Sequence, residues 1–488
     1  RATHTNGNYT FMMMVPKIIN FGSTGLYSPM PVANIASVDL AGADLTISKQ
    51  INGLSVASNS LEITVADAID PSAGITSAFY EAFDAERYSI HYSDGTTDKL
   101  TSGKFTLGAN GNSVSFTGLD KASDTNVSVV ATLSKKVVTN KSKDFIRSEQ
   151  LSVARTQKSS ALNGLSVSKY YGTRIEDNEI SLNVPDVVNV RAVYESTDSN
   201  APVLDKLTFS TGLSLDVNAI VGEKIIGQES RAVAQVVNRG SNTIEYVSRN
   251  TNTFIVGETV KFSESSVEAV VQSTTKGSYV DLTANYRLDK GQRHEYCDYS
   301  RIVRRPGSPT PDKKLLIIFD KYDVAAGNSG DVFTVNSYSA DRFTNDIPTL
   351  PNGLRVSDLI DFRPRVKSFD ITTTASPFAF SSRQYETTYK YVIAPNETSY
   401  VGYSYYLPRI DLISINRQGE VEVTQGEPAD FPQSPVLADD AMEIAQISYP
   451  AYLYNSDSDP KILLRDNRRF TMRDIGKLED RIENLEEV

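Results

Sequence analysis

Residues 105–116 read FTLGANGNSVSF and place apolar side chains at alternate positions on either side of an Asn-Gly pair. Alternation with a period of two is typical of a strand with one buried face, and Asn-Gly is favoured in the tight turn between two paired strands. The stretch therefore predicts a β-hairpin. The same alternation occurs at residues 88–92, before Asp94-Gly95, and again at residues 127–131.

The composition extends this prediction to the whole chain. With 488 residues, the chain exceeds the length at which one hydrophobic core stops growing, so several domains are expected. Its aromatic residues are 25 tyrosines and 19 phenylalanines, without tryptophan, and long helix-forming runs of Ala, Leu, Glu and Lys are missing. This balance favours strands with polar turns. We predict a mainly β, multidomain chain of small sandwich-like or barrel-like modules that ends in a short coiled-coil helix.

The charge and the cysteine count exclude several classes of protein. The formal net charge of −11 argues against a general binder of nucleic acid or of anionic membranes, because such proteins need clustered Lys and Arg. A single cysteine, Cys297, excludes an internal disulfide framework and a cysteine-based zinc site. No apolar run of about 18 residues occurs, so we expect no membrane insertion. The chain starts at Arg1 without an apolar signal region, and we interpret both of its ends as cuts in a longer protein.

The first 215 residues divide into three predicted segments. Residues 1–30 are punctuated by Gly, Pro and Asn, which predicts an extended connector. Residues 31–155 contain the regular short strands described above and predict a β-domain of immunoglobulin-like or fibronectin-like type, usually a spacer or a binder. Residues 156–215 predict a β linker region.

Residues 216–280 contain an internal repeat, because Ile220-Val221-Gly222-Glu223 recurs thirty-five positions later as residues 255–258. Further positions match at the same spacing: Ser230 with Ser265, Ala234 with Ala269, and Val236 with Val271. Each copy predicts a strand, a Gly-Glu turn, a strand, a loop with Ser and a strand. One small unit cannot bury its own face, so the duplication predicts a β-module that supplies length and surface rather than a reaction centre.

Residues 281–466 are richer in Arg, Pro and Tyr and predict a further β-domain. Residues 315–319 (LLIIF) form a short continuous apolar run, which predicts a buried strand. Residues 413–423 alternate around a turn at residues 416–419 and predict a half-exposed hairpin.

The motif DFRPR at residues 361–365 is a candidate partner-binding site. Arg363 and Arg365 are able to clamp the carboxylate of a partner, since a guanidinium group binds a carboxylate through two hydrogen bonds. We favour the alternative in which Asp361 and both arginines pair inside their own domain while Phe362 anchors the loop.

A second basic segment precedes the sequence Pro-Gly-Ser-Pro. Arg301, Arg304 and Arg305 predict a basic loop, which is either solvated or faces an acidic neighbouring subunit. Arg304 and Arg305 are therefore further candidates for partner binding.

The sequence contains no recognisable catalytic constellation. Residues 294–298 (HEYCD) are the one cluster of His, Cys and carboxylates, and we interpret them as a strand with a buried thiol rather than as a Cys–His nucleophilic pair. Motifs of zinc peptidases, serine hydrolases and phosphate-binding loops are missing. A glycosidase needs two carboxylates at a set separation, and 60 acidic residues supply too many pairs to select one. We predict no catalytic, metal-binding or cofactor-binding residues, and no enzyme.

Residues 467–488 carry a helical pattern. Four apolar residues follow the alternating steps of three and four that are typical of a coiled-coil seam: Ile475, Leu478, Ile482 and Leu485. Thr471 and Asp474 are placed to cap the helix start. Because a lone helix of two heptads is marginal in water, we predict that the stripe is buried between copies of the chain. The alternative is a helix folded back on its own β-domain.

Five segments of the second half occur in a recognisable order: residues 361–365 (DFRPR), 406–411 (YLPRID), 419–423 (GEVEV), 439–442 (DDAM) and, most specifically, 469–479 (RFTMRDIGKLE). Together they resemble a family of structural proteins from tailed phages, particularly the T4-like marine myoviruses that infect cyanobacteria. The Ile-Val-Gly-Glu repeats look like small β-modules of the same phage proteins. The resemblance implies a virion protein of the tail, baseplate or fibre region, without catalytic residues. By analogy it implies a homotrimer, whereas Ile at position a and Leu at position d favour two strands.

These observations predict a non-enzymatic virion structural protein, made in the host cytoplasm, that provides assembly interfaces and positions fibres for host attachment. The expected partners are further copies of the chain, preferably as a trimer, and other tail, baseplate or fibre proteins, without nucleic acid. Two alternatives remain. One is a tailspike that binds or degrades polysaccharide, with a host-surface glycan as ligand, and the other is a head or neck decoration protein.

Overall fold

The computed structural model describes residues 2–5, 8–14, 25–31, 33, 35–69, 78–153, 170–325, 330–339, 346–370, 375–385, 392–394, 396–453, 456–466 and 471–486. The chain divides into two compact units. The first comprises residue 1 and residues 11–34 and 40–401, and the second comprises residues 2–10, 35–39 and 402–488.

The chain is mainly β, as predicted. Up to residue 153 the strands are β1 (Ala2–Thr5), β2 (Asn8–Met14), β3 (Tyr27–Pro29), β4 (Asp39–Ala57), β5 (Ser60–Thr64), β6 (Ala78–Tyr80), β7 (Tyr88–His91), β8 (Thr97–Asp98), β9 (Phe105–Leu107), β10 (Ser113–Thr117), β11 (Ser123–Val137) and β12 (Lys143–Val153). The next strands are β13 (Glu179–Ser181), β14 (Val187–Ser196), β15 (Asp205–Phe209), β16 (Lys224–Gly227), β17 (Val233–Arg239), β18 (Thr243–Ser248), β19 (Thr259–Phe262), β20 (Glu268–Thr275), β21 (Tyr279–Asp281), β22 (Tyr286–Asp289) and β23 (Arg301–Arg304). The last strands are β24 (Leu315–Val324), β25 (Leu359–Asp361), β26 (Val392–Ile393), β27 (Thr398–Ser404), β28 (Arg409–Ile415), β29 (Val421–Thr424), β30 (Met442–Tyr449) and β31 (Lys461–Leu464). The α-helices are α1 (Val65–Ala68), α2 (Leu215–Asn218) and α3 (Met472–Glu486).

The long strands β4 and β11 pair antiparallel in the first unit, and the sheet around them also contains β5, β7, β9 and β10. The predicted hairpin is confirmed, because β9 pairs with β10 and places Phe105 opposite Phe116. On β11, Val127, Val129 and Ala131 are fully buried, as the alternation at residues 127–131 predicted. The immunoglobulin-like or fibronectin-like identity of this module stays a prediction.

A second sheet of the first unit has the order β12-β24-β14-β21. The strand predicted at residues 315–319 is confirmed as the first half of β24, which lies between β12 and β14. Ile317 and Phe319 pack into one core and Leu316 and Ile318 into another. Because both faces of β24 are covered, its sequence is continuously apolar instead of alternating.

The internal repeat forms a closed six-stranded barrel with the order β15-β18-β17-β16-β19-β20. The halves β15–β17 and β18–β20 are related by a pseudo-twofold axis, since exchanging them leaves every pairing of the barrel unchanged. Ile226 pairs with Lys261, thirty-five positions later, at the centre of the β16–β19 contact. The barrel core is apolar and includes Leu207, Phe209 and Phe262.

The strands do not follow all predicted segment boundaries. The barrel takes β15 from the predicted linker, and β12 of the predicted N-terminal domain pairs with β24. Local patterning identifies a strand but not the distant strand with which it pairs, so these partners could not be read from the sequence. Strands β1 to β3 lie in the predicted connector, of which residues 15–24 are outside the described part. Residues 154–169 of the predicted linker are also outside it.

The second unit contains the four-stranded sheet β29-β28-β30-β31. The predicted hairpin at residues 413–423 is confirmed as β28 and β29, with Ile413 opposite Val423. Helix α3 follows, and its predicted start is confirmed. The carboxylate of Asp474 accepts hydrogen bonds from the backbone N–H and the hydroxyl of Thr471, at 3.0 and 2.7 Å. Helix α3 is a short helix, and its assembly into a coiled coil stays a prediction.

Candidate functional site

The motif at residues 361–365 begins at Asp361, the last residue of strand β25, and turns into the interior of the first unit. The guanidinium of Arg363 binds both carboxylate oxygens of Asp361, at 2.9 and 2.8 Å, and its side chain is only 1% exposed. It also donates to Oε1 of Gln292 at 2.9 Å and to the carbonyl of Arg293 at 2.6 Å. Phe362 is buried beside it. Arg363 therefore serves its own domain, as favoured from the sequence.

Arg365 also points inward and links two further segments. Its guanidinium donates to Oδ1 of Asp323 at 2.8 Å and to the carbonyl of Tyr322 at 2.7 Å. Its Nε lies 3.3 Å from Oδ2 of Asp186, and the side chain is 3% exposed. A guanidinium buried with these carboxylates is not presented to a partner on the surface of this chain.

Asp186 is the centre of this buried cluster. Its carboxylate accepts hydrogen bonds from Nζ of Lys143 at 2.9 Å, from Nε2 of Gln292 at 2.6 Å and from the Cys297 thiol at 3.1 Å. Burial alone would raise the pKa of Asp186, but the charges of Lys143 and Arg365 hold the pKa below its usual value. Asp186 is therefore ionised, and its desolvation is compensated by paired cations.

The ammonium of Lys143 has a second set of contacts. It lies 4.4 Å from the centre of the Phe333 ring and 3.1 Å from the hydroxyl of Tyr338. Burial would lower the pKa of Lys143, but the negative charge of Asp186 raises it above the usual value. Burial raises the pKa of the Tyr338 hydroxyl to about 12. These groups keep fixed protonation states at neutral pH, which suits a structural role.

Cys297 is a buried thiol, as predicted, but the strand predicted at residues 294–298 was wrong. The chain bends at His294 and Glu295, and Cys297 makes only isolated bridges with Gln292 and Arg365. Burial, followed by the charge of Asp186, raises the pKa of the thiol far above its usual value, so the thiolate needed for nucleophilic attack does not form at neutral pH. Nδ1 of His294 is instead hydrogen-bonded to the hydroxyl of Tyr27 at 3.0 Å. The sequence did not identify Lys143 and Asp186, because they come from segments far from residues 294–298 and carry no local motif.

The prediction of a basic loop with Arg301, Arg304 and Arg305 was wrong for two of its members. Arg301 and Arg304 lie on strand β23, which pairs with both β13 and β22 and buries Ile302 completely. The alternation of Arg with apolar residues fits a half-buried strand, and paired strands on both sides override the loop preference of the following Pro-Gly. Arg304 donates to Oδ1 of Asn178 at 2.6 Å, and Arg305 is exposed after the strand.

The predicted oligomerisation residues of α3 are exposed in this structure. Ile475, Leu478 and Ile482 are 47%, 43% and 55% exposed, and the side chain of Leu485 lies outside the described residues. The stripe is therefore not covered by the other described residues of the second unit.

Strand β31 is a second exposed apolar element of the second unit. Its sequence is KILL, and Ile462, Leu463 and Leu464 are all exposed. In the described chain β31 pairs on one side with β30 and lies at the edge of the sheet. An exposed apolar edge strand is typical of a surface that is covered in an assembly.

Comparison with known proteins identifies one region of this chain. Residues 366–488 match a protein family described as a domain of unknown function, DUF4815. No curated protein and no solved structure matches the chain. The DUF4815 match contains β28 to β31 and α3, and therefore the exposed apolar residues just described.

Among the described residues, no three or more His, Cys, Asp and Glu side chains form a group that is placed to hold a metal ion. None of the helices in the described ranges is long and apolar enough to cross a membrane.

Proposed function

We propose that this chain is a non-enzymatic structural protein of a tailed-phage virion, in the baseplate or tail-fibre region. The observation that supports the proposal best is the set of exposed apolar side chains on α3 and β31. Burying one Leu or Ile side chain contributes about 1.5–3 kcal/mol, so several such residues in each copy supply enough free energy for association. The resemblance of residues 361–365 and 469–479 to phage structural proteins supplies the biological setting.

The second unit is the proposed assembly module. Helix α3 forms a coiled coil with the same helix of other copies, and Ile475, Leu478, Ile482 and Leu485 are its seam. A trimer agrees with the analogy to phage fibres. The immunoglobulin-like or fibronectin-like module, the barrel and the buried cluster of the first unit are rigid spacers that bind neighbouring tail, baseplate or fibre proteins. Fibre positioning and host attachment then depend on buried interface area rather than on a reaction.

The oligomeric state is the first test. Size-exclusion chromatography with light scattering is expected to give a multiple of the 53.6 kDa chain mass. Ile475→Asp and Leu478→Asp place a charge in the seam and are expected to shift the mass to that of a monomer. Lys477→Asp is the matched control, because it introduces the same residue on the same helix outside the a/d positions.

A monomer in the unchanged chain, or equal masses for Ile475→Asp and Lys477→Asp, would remove the support for assembly through α3. The position in the virion is tested separately with gold-labelled antibodies against the first unit. Labels on the baseplate or fibres are expected, and labels on the head or neck would contradict the proposal.

A further inference from the structure

A basic pocket of about 430 Å³ lies in the first unit between the barrel and strands β12 and β14. Its charged lining residues are Arg147 and Arg191 on these strands, Lys224 and Arg249 from the barrel, and Glu264. The chain as a whole carries a net charge of −11, whereas the lining of this pocket has four cationic side chains and one carboxylate. The pocket is therefore locally positive on an acidic protein. Charge patterning of this kind attracts anions.

Two of the four cations already have carboxylate partners. Arg147 binds both oxygens of Glu264, at 2.5 and 2.9 Å, and Arg191 lies 2.5 Å from the buried carboxylate of Asp320. These pairs hold the two guanidinium groups in place without removing all of their hydrogen-bond donors, since each arginine has five. They therefore form a preorganised side of the pocket.

Lys224 and Arg249 complete the lining and have no ion-pair partner among the residues that the structure describes. Both residues are exposed as a whole, but the guanidinium of Arg249 is partly desolvated within the pocket. This partial burial, followed by the like charge of Arg191, lowers the pKa of Arg249 from its usual value, and Asp320 offsets only part of the effect. An anion between these side chains would relieve the repulsion.

We propose that this pocket binds an oxyanion, a phosphate or carboxylate group carried by a small polar molecule. Lys224 and Arg249 supply the uncompensated charge, and Arg147 and Arg191 supply oriented hydrogen-bond donors. The volume lies in the range of small-molecule pockets and leaves room for a sugar-sized body beside the anionic group. The site does not depend on assembly through α3, so the test of anion binding is independent of the test of the proposed function.

The test is isothermal titration calorimetry of the full chain at low ionic strength with inorganic phosphate, glucose 6-phosphate and glucuronate. Binding of phosphate and glucose 6-phosphate alone assigns a phosphate ligand, and binding of glucuronate alone assigns a carboxylate. Lys224→Ala and Arg249→Ala are each expected to raise the dissociation constant at least tenfold. Raised salt is expected to weaken binding, because the contacts are electrostatic and solvent-exposed.

Lys99→Ala is the matched control, since Lys99 is an exposed lysine outside the pocket lining. The Lys99→Ala variant is expected to bind the anions with the same dissociation constants as the unchanged chain. The proposal is overturned if none of the three anions binds, or if Lys224→Ala and Lys99→Ala bind equally well. Circular dichroism of each variant separates loss of binding from loss of the fold.

Discussion

Each glutamate of the two Ile-Val-Gly-Glu repeats binds the serine of the other repeat. The carboxylate of Glu223 accepts hydrogen bonds from the backbone N–H and hydroxyl of Ser265, both at 3.0 Å. The carboxylate of Glu258 accepts the corresponding bonds from Ser230, at 3.0 and 2.9 Å. Both glutamates are almost completely buried, so the repeat motif encodes an exchange of contacts between the halves of the barrel.

Glu258 is expected to make the barrel sensitive to acid. Burial would raise its pKa, but hydrogen bonds from Ile255 and Ser230 outweigh burial and lower the pKa below the usual 4.5. A lowered pKa in the folded state means that the stabilisation is present above about pH 4.5 and is lost as the pH falls through the folded pKa. Glu258→Gln is expected to lower the free energy of unfolding at pH 7 by about 1–3 kcal/mol, because an amide N–H₂ then faces N–H donors.

Urea unfolding at a series of pH values measures this effect. The difference in the free energy of unfolding between the unchanged chain and Glu258→Gln should decrease below pH 4.5. Glu268→Gln on the same barrel is the control, since Glu268 is exposed and is expected to cause little change at any pH. If the free energies of unfolding of the unchanged chain and of Glu258→Gln differed by the same amount from pH 7 to pH 3, the stabilising role assigned to the ionised Glu258 carboxylate would be contradicted.

The two repeat glycines have the same conformation but different surroundings. Gly222 and Gly257 have φ angles of 82° and 93°, which favour glycine. A Cβ on Gly222 would lie 2.3 Å from Cβ of Arg147, whereas a Cβ on Gly257 would meet nothing within 4 Å. Gly257→Ala is expected to destabilise by about 1–2 kcal/mol through its backbone alone. Gly222→Ala should lower the free energy of unfolding clearly more than Gly257→Ala does, because the added Cβ must also displace the Arg147 side chain.

Thermal unfolding of both alanine variants, compared with the unchanged chain, checks this prediction. Because the backbone penalty is shared, the difference between the two variants reports the packing of Arg147 against Gly222. Equal melting temperatures would show that this close approach is not important for stability.

At the scale of elements, the strand β31 combines properties that strands at a free edge usually avoid. It is short, apolar on both faces and flanked on one side by β30, where Ile462 pairs with Ile447 and Leu464 with Ala445. Edge strands in soluble monomers are commonly protected by charges or prolines, because exposed edges promote association. The single lysine of β31, Lys461, lies at its start.

Replacing both Ile462 and Leu464 with lysine is expected to weaken self-association without unfolding the sheet. The two residues lie on the same face of the strand, and added lysines repel a neighbouring edge. Sedimentation analysis over a tenfold range of protein concentration measures the change. Thr424→Lys on the opposite edge strand β29 is the control, because it adds a lysine without removing apolar area. An unchanged association constant in the double variant would exclude β31 from the interface.

The elements of this chain differ in how well local sequence predicts them. The hairpin of β9 and β10, the buried strand β24 and the cap of α3 at Thr471 were predicted, because alternation, apolar runs and capping residues act locally. The closed barrel and the place of β12 beside β24 were not predicted, because strand partners far apart in sequence leave no local pattern. Arg304 was predicted in a loop because Pro-Gly lies close to it, but strand pairing decides its place.

At the scale of the whole first unit, the cluster around Asp186 connects distant parts of the chain. Lys143 and Asp186 are 43 positions apart, and Asp186 and Cys297 are 111 positions apart. These three residues and Arg365 are all buried. The sequence favours an internal role for the DFRPR motif, and Arg363 pairs with Asp361 inside its own domain. Its partners Lys143 and Asp186 could not be found in the sequence, because one lysine and one aspartate among many charged residues carry no distinguishing signal.

Asp186→Asn is expected to destabilise the first unit by about 3–5 kcal/mol, because it leaves Lys143 and Arg365 buried without their shared carboxylate. The pKa of Asp186 is lowered in the folded state, so this stabilisation is present at neutral pH, begins to decrease below the usual value of 3.8 and is lost as the pH falls through the lower folded pKa. Urea denaturation at pH 7 and pH 3, followed by tyrosine fluorescence, measures both effects.

The double change Lys143→Met with Asp186→Leu is the matched comparison. It removes the charge pair together, and replacing a buried pair by apolar residues is usually far less destabilising than removing one partner. The double variant is therefore expected to be more stable than Asp186→Asn. If the double variant were less stable than Asp186→Asn, the cluster would not be held together mainly by charge.

The reciprocal Glu–Ser bonds of the barrel also suggest how such a module arises. The strand pairings and the Glu–Ser bonds between its halves have symmetric counterparts, so two separate copies of one ancestral half would satisfy these bonds as a homodimer. Such a dimer would dissociate on dilution, whereas tandem duplication within one gene joins the halves at an effective concentration in the millimolar range. The fused module then folds independently of how many copies the cell contains, and each half is free to diverge. The packing of Arg147 on Gly222, with no equivalent at Gly257, is a first sign of this divergence.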